Sequence, residues 1–224
     1  MALPSEEVVA ILAPIIVYWV AAGVYTVLGR VLADHRLHSR EEEELRNLVP
    51  KPVVIHRPPP ARSPGGDSLR RLPCEYGWHR LMHSSGLLYR HVHSWHHRLV
   101  APYAYGAQYN HPLEGLVLDT AGGALALAVT GMAPLTAAAF FSFATLKAVD
   151  DHSGVLVPGN PLHLLFRNNT AYHDVHHQIR GGRCNYAQLF FVAWDKLMGT
   201  YVPYEVVRAP HGGLEAVPLK KKKT

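Results

Sequence analysis

Trp78 to His97 reads WHRLMHSSGLLYRHVHSWHH and holds six histidines: His79, His83, His91, His93, His96 and His97. About eighty residues later YHDVHH adds His173, His176 and His177. His79 and His83 stand four apart, and both other sets have the pattern HxxHH. On a helix, residues i, i+3 and i+4 project from one face. Each set is therefore expected to aim two or three imidazoles at one point. Neutral imidazole is the commonest protein metal ligand. A lone histidine is more often a satisfied core or surface residue, but eight in three such sets suffice for two metal ions.

The metal is less determined. Structural zinc takes four Cys/His ligands in a closed tetrahedron. Cys74 and Cys184 are the only cysteines, and no HExxH motif is present. Iron suits an imidazole site equally well, and a histidine-rich dimetal site beside membrane spans can work on a lipid chain. Inserting oxygen into an unactivated C–H bond requires a metal that activates O₂. The ligands must be neutral, which an unperturbed pKa of about 6.5 allows at cytosolic pH. Asp150, Asp151, Asp174 and Glu114 lie near histidines in sequence and are expected to hold ring N–H groups and fix tautomers.

These clusters need elements to carry them. Val8 to Leu28 is twenty-one residues without a charge, long enough to span a bilayer. Glu6 and Glu7 stand where a cleaved signal would be basic, so a retained anchor is expected, with Pro14 as a candidate kink. Arg30, Arg36, Arg40, Arg46 and Lys51 follow and mark that side as cytoplasmic, which puts the N-terminus in the lumen. The acidic run Glu41 to Glu44 reads as the solvated face of a short helix. Residues 51–77 are rich in Pro, Gly and Arg and read as a disordered linker, closing a linker region over 30–77. Thr120 to Leu146 is uncharged for twenty-seven residues, interrupted by Gly131 and Pro134. A membrane hairpin over about 115–149 is expected, because it returns the chain to its starting side and keeps both histidine groups in one compartment. The fold class expected is all-α: an integral membrane helical protein with a cytosol-facing, histidine-rich dimetal domain over 78–204 and a basic tail over 205–224. The net charge of +5 lacks the basic, aromatic-interleaved motifs of nucleic-acid binding, so no nucleic-acid partner is expected.

HRLMH, HSWHH and HDVHH resemble the three histidine boxes of the fatty acid hydroxylase/sterol desaturase superfamily. The connectors LYRHVHSWHHRLVAPYAYGAQYNHPLEGL, FFSFATLKAVDDHSG and WDKLMGTYVPY are similar to those of the plant sphingoid-base C4-hydroxylases, nearly unbroken from His79 to Tyr204. The resemblance implies an endoplasmic-reticulum, multi-pass enzyme with a cytosol-facing diiron centre, using O₂ and electrons from NAD(P)H through cytochrome b5. Its substrate would be a membrane lipid, sphinganine or its ceramide, hydroxylated at C4, and it would assemble with itself or with other sphingolipid enzymes. The implied ligands are His79, His83, His93, His96, His97, His152, His173, His176 and His177. His91, His111, Asp151, His163 and Asp174 are implied supporting residues, and Lys221 with Lys222 is similar to a dilysine retrieval signal. Relatives carry a further pair of hydrophobic segments where this chain has residues 51–77. Two alternatives stay open: a sterol- or lipid-desaturating relative, and an impaired shortened paralogue that binds metal and lipid or modulates a full-length hydroxylase.

Overall fold

The computed structural model describes residues 5–57, 68–117, 128, 130–178, 182–210 and 212–219. Helix α1 spans Glu6–Val31 and runs unbroken through Pro14. Ser5 caps it, Glu6 and Glu7 fill its first turn and Arg30 its last, matching the helix dipole at both ends. Among the described residues α1 is the helix long and apolar enough to cross a membrane. Its buried stripe is Ala10, Pro14, Tyr18, Ala21, Ala22, Tyr25 and Gly29. The rest of its surface is apolar and exposed, including Ile11, Leu12, Ile16, Val20, Val24 and Val27. A contiguous apolar face of this size marks a surface that is covered by a partner or by lipid.

Helices α2 (Arg40–Arg46) and α3 (Lys51–Ile55) follow. A reciprocal capping box between Ser39 and Glu42 starts α2. Pro52 lies in the first turn of α3, where a missing N–H costs nothing. Helix α4 (Ser68–Ser84) begins ten residues before the first box histidine pair's own tryptophan, Trp78. Within the expected linker over 30–77, the acidic run lies on the short helix α2, while the disorder expected over 51–77 is corrected by α3 and the start of α4. What holds α4 is tertiary. The Tyr76 hydroxyl lies 2.8 Å from Thr200 Oγ1 and the Tyr76 ring stacks on Trp194. Residues 58–67, the densest Pro/Gly stretch, lie outside the described residues.

Helix α5 (Gly86–His91) leads into a 3-10 turn, His93–Arg98. A second 3-10 turn, Ala104–Gln108, and the short helix α6 (Pro112–Glu114) precede α7, Pro134–His152. Helix α7 overlaps the second half of the stretch read as a membrane hairpin, and most of the first half lies outside the described residues. Small side chains let α1 lie against α7 and the second 3-10 turn: Tyr18, Ala21, Ala22, Tyr25, Ala104, Ala107 and Val149 form one cluster. Helices α8 (Pro161–Leu165), α9 (Thr170–His177) and α10 (Ala193–Leu197) complete the helical body. Fully buried Lys147 ties α7 to the residue before the α9 cap: its Nζ donates to Asp151 Oδ1 and, at 2.9 Å, to the Asn168 carbonyl.

The fold is mostly helical and not all-α. Strands β1 (Tyr204–Arg208) and β2 (Leu214–Pro218) form an antiparallel hairpin in place of the expected tail, with Tyr204 opposite Pro218 and Arg208 opposite Leu214. Gly213 takes φ +79, and a Cβ there would lie 2.8 Å from the Arg36 carbonyl, so only glycine lets β2 dock at that point. Lys221 and Lys222 lie outside the described residues.

Candidate metal centre

The structure brings nine histidines together in two groups. One contains His79, His83, His93, His97 and His176; the other contains His96, His152, His173 and His177. Within each group the candidate ligand atoms all lie within 4.8 Å of one another. None of the nine is more than 9% exposed. The groups are neighbours: the rings of His97 and His177, one from each, stack at 4.6 Å.

Four elements deliver them. Helix α4 carries His79 and His83, one turn apart on one face. The first HxxHH lies in a 3-10 turn, where i and i+3 eclipse, so the backbone alone would pair His93 with His96 and the partners of each ring decide otherwise. His93 and His97 enter the first group and His96 the second. On α9, His173 and His177 enter the second group and His176 the first. His152 comes from the last turn of α7. Each HxxHH set thus sends two rings to one group and its third to the other, so both sets straddle the two groups.

The tautomers follow from the partners. A carbonyl only accepts, so an imidazole nitrogen bonded to one must carry the proton. Nδ1 of His79 donates to Tyr186 O at 2.7 Å, His96 to Tyr109 O at 3.2 Å and His152 to Ala148 O at 2.8 Å. His176 donates to Cys184 O at 2.7 Å, His177 to Leu99 O at 2.9 Å and His93 to Glu114 Oε1 at 2.7 Å. Six Nε2 lone pairs are left facing inward. They meet without protons between them: His79 to His93 at 3.1 Å, His96 to His152 at 3.2 Å and His96 to His177 at 3.1 Å. Nε2 of His176 is buried with no hydrogen-bond partner. Lone pairs facing each other in a dry interior repel unless a cation lies among them.

This donor set fits metal ions. Two nitrogens held ~2.0–2.1 Å from one ion at a right angle stand about 3 Å apart; in a tetrahedron they stand about 3.4 Å apart. Nε2 contacts of 2.9–3.2 Å match the right-angle case. Burial holds every one of the nine below the ordinary imidazole pKa, reinforced for most by neighbouring rings: His79 and His93 at about 3, His96 at about 4, and His97, His173, His176 and His177 well down. All are neutral at pH 7, the form that binds metal.

The supporting residues sort differently from the expectation. Glu114, 4% exposed, holds His93. Asp151 pairs with Lys147 instead of a histidine ring. Asp174 accepts from His38 Nε2 at 2.6 Å and from Gln178. His91 is exposed and outside both groups. His111 accepts from Leu113 N at the start of α6 and meets the Trp95 ring edge-on. His163 Nε2 lies 3.1 Å from Asp150, which also accepts from Tyr25 and Asn160 and joins α7 to α1. His38 and the carbonyls of Leu99, Tyr109, Ala148, Cys184 and Tyr186 carry no spacing signal; backbone oxygens are invisible to a reading of residue types. Asn168, first residue of an NNT sequon, is 1% exposed with its amide donating to Ala187 O, so the folded chain cannot present it to a glycan.

Fully buried Asp195 sets the loop over the first group. It accepts from Tyr186 N at 2.9 Å, Ala187 N at 2.7 Å, Thr200 Oγ1 at 2.6 Å and the Tyr172 hydroxyl. A cavity of about 90 Å³ touches both groups through His79, His93, His96 and His152. Phe141, Ala144 and Ala148 of α7 give it an apolar wall, and Asn110 and Gln188 give it polar groups.

Comparison with known proteins agrees with this geometry. The fatty acid hydroxylase family model matches residues 71–200, from within α4 past α10. Sphinganine C4-monooxygenase 1 of Arabidopsis thaliana is 44% identical, covering 97% of this chain and 96% of the relative. That alignment runs over 250 positions against 224 residues here, so the relative carries residues this chain lacks. Very-long-chain aldehyde decarbonylase GL1-9 of Oryza sativa subsp. indica is 45% identical over 96% of each chain. Sphingolipid C4-hydroxylase SUR2 of Saccharomyces cerevisiae is 33% identical over 88% of this chain and 72% of the relative. No solved structure matches. By its nine converging histidines and by these matches, the chain belongs to the fatty acid hydroxylase family.

Proposed function

We propose that this chain is a dinuclear iron monooxygenase that hydroxylates C4 of sphinganine, free or as its ceramide, to give phytosphingosine-type bases. The observation that carries the reading is the pair of buried groups of neutral, inward-facing imidazoles, in a chain matched nearly end to end by a relative named sphinganine C4-monooxygenase. His79, His83, His93, His97 and His176 would hold one iron, and His96, His152, His173 and His177 the other. Five imidazoles in one group exceed the four of tetrahedral zinc, which favours iron. Iron supplies the O₂ activation that no side chain can, with electrons from NAD(P)H through cytochrome b5.

The protein's own residues supply position and dryness. The backbone carbonyls and Glu114 fix six of the nine rings so that Nε2 points inward. The wall of Phe141, Ala144 and Ala148 guides an alkyl chain from α7 to the face shared by both groups, and Asn110 and Gln188 give a polar headgroup hydrogen-bond partners. Burial of all nine rings keeps water from a reactive site. Helix α1 is a membrane anchor, its exposed apolar face in lipid and its arginine-rich end at the cytosol, with Lys221 and Lys222 returning the protein to the endoplasmic reticulum.

Expression in cells lacking their own C4-hydroxylase, fed sphinganine, tests this directly. Mass spectrometry of long-chain bases should show phytosphingosine, absent with His96→Ala. Membrane-inserted, iron-loaded protein without product would refute the reading. The rice relative's name favours a second reading, removal of the carbonyl carbon from a long-chain aldehyde. Feeding the same cells a long-chain aldehyde and measuring alkane separates the two.

A further inference from the structure

A second cavity, of about 270 Å³, is walled by the carboxyl end of α1, α2, α3, the second 3-10 turn and Ser153 with Val155 after α7, and no member of either histidine group lines it. Arg30, Arg36, Arg40 and Lys51 bring four positive charges to its lining, against two carboxylates, Glu43 and Glu44. Glu43 is already shared by Arg36 and Lys51. Arg36 is otherwise spent on backbone, with Nε donating to His38 O at 2.9 Å. Arg30 and Arg40 have no ion-pair partner among the described residues. Tyr103 also lines this cavity; it is only 7% exposed, and its hydroxyl is buried without a hydrogen-bond partner. A buried hydroxyl left unpaired costs free energy, so its position beside a net positive cavity points to an acceptor that belongs there.

We infer that this cavity binds the anionic phosphate of a lipid headgroup, with Arg30 and Arg40 supplying charge and the Tyr103 hydroxyl a hydrogen bond. A phosphate oxygen accepts from guanidinium and phenol alike, and charge-assisted bonds of this kind are the strong ones. The location fits a lipid: the cavity lies at the end of the apolar helix α1, where the proposed span would meet headgroups. Gly29, part of the lining, leaves room for Arg36: a Cβ there would lie 3.3 Å from Arg36 Nη1. The site is separate from the proposed chemistry and stands or falls without it.

The test uses the full chain, purified in detergent, with phosphatidic acid, phosphatidylcholine and inorganic phosphate as separate probes. Binding is read by intrinsic fluorescence and by the shift in melting temperature. Phosphatidic acid should bind and raise the melting temperature, and phosphatidylcholine should do so much less. Arg30→Ala/Arg40→Ala should weaken phosphatidic acid binding by about tenfold or more, the loss expected when charge-assisted bonds are removed. Tyr103→Phe keeps the ring and its packing, so a weaker affinity in a chain with unchanged melting in the absence of lipid isolates the hydroxyl. Equal saturation by inorganic phosphate, lost in the same variants, would keep the phosphate site and assign its source to free phosphate. Unchanged affinity in both variants, or no binding by either phosphate probe, would overturn the inference.

Discussion

His79 and His93 present their Nε2 atoms to each other at 3.1 Å while both Nδ1 atoms are already committed, one to Tyr186 O and the other to Glu114 Oε1. Neither nitrogen has a proton to share, so the contact makes sense with an ion between donors and repels without one. Fourteen residues of chain and two different elements separate the two rings; the second-coordination bonds are what make them face.

Glu114 is therefore a positioning residue whose removal should be felt at the metal. Glu114→Ala is expected to lower iron affinity or turnover by about 10–100-fold. Glu114→Gln retains a carbonyl acceptor for His93 Nδ1 and should recover part of it. Iron per chain, measured by elemental analysis alongside turnover, checks this. Unchanged iron content and rate in Glu114→Ala would show that His93 is held by something else.

The metal-free protein should lose stability in acid. The folded pKa values of the site histidines lie below the unfolded value of about 6.5, with His79 at about 3 and His96 at about 4. The unfolded chain then binds more protons, so stability is full above about pH 6.5 and falls as the pH drops toward those lower values. His38 runs the other way. Its burial alone would lower its pKa, but the Asp174 carboxylate outweighs that and raises it. Its contribution is present below about pH 6.5 and is lost as the pH rises through the raised value. The group of nine outweighs the one, so melting curves of chelator-treated protein should shift down between pH 7 and pH 5.

Ala144→Phe should block the substrate and spare the iron. Ala144 is 4% exposed and lines the cavity beside His96 and His152 without bonding any of them. A phenyl ring there fills the apolar wall. Turnover of a long-chain substrate should fall strongly while iron per chain stays at the parent value; joint loss of both would mean the helix, and not the channel, was disturbed.

Asp195→Ala should be among the most damaging substitutions away from the histidines. Four donors, Tyr186 N, Ala187 N, Thr200 Oγ1 and the Tyr172 hydroxyl, lose one buried carboxylate. A cost of about 3–5 kcal/mol is expected from breaking such a buried charged network. Because Tyr186 O orients His79, iron retention should fall with it. Thermal unfolding of the purified variant gives the first number and elemental analysis the second.

The histidines, their number and their three-part spacing are local facts, and so were readable in the chain before any folding. So was α1, since a twenty-one-residue run without charge is an element by composition alone. What residue types could not carry is everything set by approach from elsewhere. The start of α4 within a proline-bearing stretch depends on Tyr76 stacking against Trp194, more than a hundred residues away. The terminal hairpin was hidden behind a basic tail because its anchor, the Arg36 carbonyl, is a backbone atom at the other end of the sequence. The partition of the site was hidden as well. An i, i+3, i+4 triplet reads as two or three rings at one point without saying which: His93 and His97 part from His96, and His176 from His173 and His177, because groups on both sides of each element claim different rings. Sequence set which side chains can bind metal; only the packed structure decided which of them share an ion, since that depends on backbone carbonyls and buried carboxylates that come together in three dimensions and leave no spacing behind.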